Sequence, residues 1–87
     1  MDKEHAMFAE YLAAAMQHAH YEFIDEDGLY FGAIDELPGT WADGKTREAC
    51  QAKLESVAEG WILLAIARHE DLPVFDGHKL TVAKVGD

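Results

Sequence analysis

The chain has 87 residues, enough for one small domain, and 49% of them are hydrophobic, which is too many for a disordered segment. Seventeen acidic side chains against seven basic ones leave a net charge of −10, a balance that repels nucleic-acid backbones and anionic membranes and favours a basic partner. One cysteine, Cys50, rules out an intrachain disulfide and a thiolate zinc site.

Residues 3–20 read as a helix. Phe8, Leu12, Ala15 and Ala19 recur at spacings of three or four, and Tyr11 and Met16 widen the stripe. No secretory signal is expected, because the start Met-Asp-Lys-Glu-His carries acids where a signal needs bases. With the longest apolar run at Trp61 to Ala67, a cytoplasmic protein without a membrane span is expected.

A three-stranded sheet is predicted over residues 21–43. Tyr21 to Asp25 is rich in aromatic and branched residues, Asp27-Gly28 signals a hairpin turn, and Leu29 to Ile34 returns. Gly32 inside that second strand marks a bulge or a close backbone approach. Pro38 and Gly39 then break the ladder before a short third strand at Thr40 to Ala42.

A second, long helix is expected over residues 46–69, with Thr46 as N-cap and Glu48 in the first turn. Its apolar stripe reads Cys50, Leu54, Val57, Trp61, Ala65. From Val57 to Ala67 the only charge is Glu59, so this half is apolar all round. Such a helix spans roughly 35 Å, against roughly 17–20 Å for strands of five or six residues. The far end therefore needs the first helix, another subunit or a partner, and Trp61, Ile62, Leu64 and Ile66 are the expected oligomer contacts. Pro73 and Gly77 mark an exit loop before a fourth strand predicted at 78–85. The whole is one α+β domain, residues 1–87, in the order α-β-β-β-α-β.

A catalytic constellation is harder to find. The acids Asp25, Glu26 and Asp27 fall at a hairpin tip, and Asp35-Glu36 precede the Pro-Gly break, positions that point into water rather than converge on metal ions. His18 and His20, two apart where helix gives way to strand, fall on different faces of a helix, though on a strand they could share a metal, and they read as surface residues. Cys50 lies on the core stripe, and the single serine, Ser56, is inside the helix. No phosphate-cradling loop is present, and the bases are too few and scattered for a nucleic-acid patch. No catalytic residue, metal or cofactor is expected.

The stretch GLYFGAIDELPGTWADGKTREACQAKLESVAEGWI, residues 28–62, resembles the HicB-like antitoxin family. The likeness is carried by strand, hairpin, strand, then Glu36-Leu37-Pro38-Gly39, a short strand, Gly44 and Thr46 before the long helix. The resemblance implies a partial RNase H-like fold without a working nuclease site, in which a three-stranded antiparallel sheet packs on the long helix. It implies an antitoxin that occludes a small basic HicA-type toxin, and a dimer or tetramer. Many members add a C-terminal DNA-binding domain; with the sequence ending at Asp87, direct DNA binding is not expected. Tyr30, Asp35, Glu36, Trp41 and Asp43 are the expected partner surface. The alternatives are a stand-alone homo-oligomeric domain with a regulatory or ligand-binding role, and a nuclease with acids on the sheet face.

Overall fold

The structure is a computed structural model that describes residues 3–75 and 77. Its architecture is α+β: α1 (Lys3–Gln17), β1 (His20–Ile24), β2 (Leu29–Ala33), β3 (Trp41–Gly44) and α2 (Arg47–Ala67). The predicted strand at 78–85 lies outside the described residues. The three strands form one antiparallel sheet in the order β1-β2-β3. The first helix stops three residues short of the expected end, because His20 is already paired with Ala33 in the sheet. The third strand begins one residue late and runs on to Gly44, which pairs with Tyr30.

Local chemistry explains the turns. After Ile24 the chain makes a four-residue loop, in which the N–H groups of Asp27 and Gly28 donate to the Ile24 carbonyl and Gly28 takes φ 66°. Between β2 and β3, Leu37 N–H donates to Ile34 O and Thr40 N–H to Leu37 O. These bonds turn Ile34 and Leu37 into the core while Asp35 and Glu36 stay outside. The Thr46 hydroxyl accepts from Ala49 N–H at 3.0 Å, the N-cap bond that the sequence announces. At the other end His69 adopts φ 58°, and the bonds His69 N–H to Ile66 O and Glu70 N–H to Ala65 O close α2 as a Schellman motif.

The long helix packs on β2, β3 and α1. Its buried stripe is Cys50, Leu54, Ala58, Ile62 and Ala65. This corrects the expected stripe: the buried row continues in steps of four from Leu54 to Ala58 and Ile62, so Val57 turns outward. Sheet and helix approach closely at two glycines. A Cβ on Gly44 would stand 2.6 Å from the Cys50 backbone nitrogen, and one on Gly32 would stand 2.8 Å from the Tyr21 ring and 3.1 Å from Cys50 Sγ. At Gly32, where a bulge or a close backbone approach was expected, the crowding comes from side chains, first the Tyr21 ring of β1 and then Cys50 of α2.

Tyr11, Leu12, Ala14 and Ala15 of α1 complete the core against Ile34, Leu37, Ile62 and Phe75. The segment after α2 returns to α1: the Tyr11 hydroxyl donates to the Pro73 carbonyl, and Phe75 meets the rings of Tyr11 and His18 edge-on at 5.4 and 5.0 Å. Burial pushes the Tyr11 phenol up to about 12. Among the described residues no helix is long and apolar enough to cross a membrane.

Candidate functional site: the outer face of the sheet

Strand alternation sorts the sheet into two faces. Tyr21, Gly32 and Ala42 lie in register on the α2 side, and Phe23, Tyr30 and Gly44 follow on the same side. The opposite face carries His20, Ala33 and Trp41 in one row and Glu22, Phe31 and Asp43 in the next. Among the described residues, α2 is the helix that packs on the sheet, and it does so from the other side. Trp41 is accordingly 54% exposed, although it stacks on Phe31 with ring centroids 5.6 Å apart and an interplanar angle of 21°.

Beside this aromatic pair lies an open cleft of about 290 Å³, lined by His20, Phe31, Ala33, Asp35, Pro38 and Trp41 among others. Its volume stands at the lower end of the range for small-molecule sites. Histidines stand against its acidic wall. His20 Nε2 lies 3.0 Å from Asp35 Oδ1, and His18 Nδ1 lies 3.0 Å from Glu36 Oε2. A carboxylate only accepts, so each imidazole donates through that nitrogen and fixes the proton there. The two pairs clasp the α1–β1 junction to the β2–β3 loop. Each carboxylate still presents an oxygen to solvent, and the Asp35 side chain is 82% exposed. From beneath, Trp61 Nε1–H donates to the Pro38 carbonyl at 2.9 Å and ties the same loop to α2. Asp43 stands opposite Phe31 and is reached by Lys53 Nζ at 3.4 Å, an exposed pair of little energetic weight.

Of the residues expected to meet a partner, the structure gathers Asp35, Glu36, Trp41 and Asp43 along one face. Tyr30 is not with them: it points to the α2 side, where its ring meets Phe23 edge-on at 5.1 Å. Phe31 is the aromatic that stands beside Trp41 on this face, and the sequence reading did not single it out. The signal for it was Gly32: a strand glycine pressed on a helix assigns the helix side to 30 and 32, and the open side to 31. His20 lies on the surface as expected and His18 is half-buried, and each stands within hydrogen-bond distance of an acid of this face.

The four expected oligomer contacts also part company. Ile62 is closed inside the chain's own core, Ile66 and Trp61 pack against that core, and Leu64 is 49% exposed. Cys50 is buried, and burial pushes its thiol above the usual range, with nearby Asp43 adding to the shift. Among the described residues no three His, Cys, Asp or Glu side chains are grouped to hold a metal ion.

Comparison with known proteins agrees with this architecture. Nothing among the curated proteins matches the chain. Among solved structures it is similar to TTHA0281 from Thermus thermophilus, with 35% identity and a TM-score of 0.83 over 90% of this chain and 96% of that one. The family model described as UPF0150-like matches residues 10–73, from α1 through the sheet and α2 to the Pro73 strap. The chain belongs to the UPF0150-like family.

Proposed function

We propose that this chain is a HicB-like antitoxin module, a cytoplasmic protein-binding domain that neutralises a small basic, mRNA-cleaving toxin of HicA type by covering its surface. The observation that carries the reading is the outer sheet face: an exposed Trp41 stacked on a half-buried Phe31 and rimmed by Asp35, Glu36, Asp43 and Glu22. Aromatic faces attract guanidinium and ammonium groups, and carboxylates beside them supply charge-assisted hydrogen bonds. An exposed Trp backed by a fixed loop suits an interface anchor. The net charge of −10 adds long-range attraction that speeds encounter with a basic protein. The role assigned is binding, and it needs no cofactor.

The test is co-expression with the product of the neighbouring gene, which this reading expects to be small, basic and toxic. Growth rescue by the wild type, lost when Trp41→Ala and Phe31→Ala are combined in a variant with unchanged circular dichroism, is the expected outcome. A neighbour that is harmless alone, or rescue that survives the double substitution, would contradict the reading.

A further inference from the structure

The row that crosses the outer sheet face is uneven. Ala33 stands in register between His20 on β1 and Trp41 on β3, a methyl group between two rings. Neighbouring strands lie roughly 5 Å apart, so the two ring-bearing positions are roughly 10 Å apart with a low floor between them. Ala33 lines the cleft of about 290 Å³, together with Phe31 two residues before it and Asp35 two residues after it. A flat group in van der Waals contact on both faces needs about 7–8 Å, so the gap takes one planar group. Its polar wall is not closed by the chain itself. His20 lies against one oxygen of Asp35 at 3.0 Å and leaves the other to accept. Thr40, in the same lining, is 2% exposed, and its hydroxyl has no hydrogen-bond partner among the described residues.

We propose that this cleft is a socket for one arginine side chain of the basic partner, with the guanidinium lying over Ala33 against Trp41 and donating to Asp35. The source of the arginine rests on the antitoxin reading; the new element is which side chain is taken, and by what. Asp35 and the net charge of −10 turn anions away. Of the two cationic side chains, lysine ends in a compact, strongly hydrated charge with no flat face. A guanidinium is planar and more weakly hydrated, stacks on aromatic rings, and keeps donors at its edge for a carboxylate. Ala33 is then the position that sets specificity, because a larger side chain there would fill the floor while leaving every acid and both aromatic rings in place.

Two free compounds of equal charge read the socket directly. The isotope-labelled full chain is titrated with Nα-acetylarginine amide and, separately, with Nα-acetyllysine amide, so that attraction to the acidic surface as a whole is common to both. At equal concentration the arginine compound is expected to move the Ala33 amide and the Trp41 indole N–H roughly threefold further or more. Ala33→Leu should cut that response roughly fivefold or more, and Asp35→Asn, a second variant, should bring it down to the lysine level, both with unchanged circular dichroism. Equal responses to the two compounds, or an arginine response that neither substitution weakens, would overturn the proposal. A HicA-type protein that binds the wild type and Ala33→Leu equally well would also overturn it, while leaving the antitoxin reading in place. A chain that prefers the arginine compound but binds no such protein would instead remove the antitoxin reading and keep the preference for arginine.

Discussion

Trp61 in the long helix donates its indole N–H to the carbonyl of Pro38, 23 positions earlier in the chain, at 2.9 Å. That bond fixes the loop bearing Asp35 and Glu36 from below, while His20 and His18 hold the same two acids from the side. The Trp61 bond is the firmer of these ties, since the histidine–carboxylate pairs are solvent-exposed and of small energetic weight.

Trp61→Phe removes the donor and part of the ring that packs on the core. A stability loss of about 1–2 kcal/mol is expected in urea unfolding. Amide exchange at Asp35 and Glu36 should quicken more than at Leu54, because the loop loses its anchor while the centre of α2 does not.

Gly44→Ala tests the contact between sheet and helix. The new methyl would stand 2.6 Å from the Cys50 nitrogen and 2.9 Å from its Cα, both backbone atoms, so the first turn of α2 has to shift. A loss of about 1–3 kcal/mol is expected. Gly60→Ala, with open space around its Cβ, should leave the folding of the single chain unchanged or slightly strengthened.

Tyr11 makes the fold sensitive to alkali. Its phenol is pushed up to about 12 by burial, from the ordinary 10.0. Between these values the folded chain keeps the proton and the unfolded chain has lost it, so stability falls as pH rises from about 10 to about 12. The full effect is about 2–3 kcal/mol. Tyr11→Phe should be less stable at neutral pH by about 1 kcal/mol, through the lost bond to Pro73, and should lose this part of the alkaline decline. Unfolding curves across that pH window, with phenolate absorbance as a second probe, check both.

Much of the fold was legible because its signals are local. Thr46 caps its helix with its own hydroxyl, Gly28 supplies a positive φ, and Pro38-Gly39 stop one strand before the next, so neighbours in sequence decide each case. The side on which a residue falls was less legible. Leu29, Tyr30 and Phe31 are apolar on both faces of β2, so no alternation separates them, and only the packing of Gly32 on Cys50 does. In α2 the run from Val57 to Ala67 is apolar all round, and the spacing alone could not place Ile62 inside and Leu64 outside. The pairs His18–Glu36 and His20–Asp35 join residues 18 and 15 apart, contacts created by the fold itself.

The central claim is that the outer sheet face receives a basic protein. Amide chemical shifts of the labelled chain, followed while a small basic protein of HicA type is added, test it most directly. The expected result is that shifts concentrate at Phe31, Asp35, Glu36, Trp41 and Asp43 and fade as salt is raised. Shifts confined to α2, or none at all with a correctly folded basic protein, would contradict it.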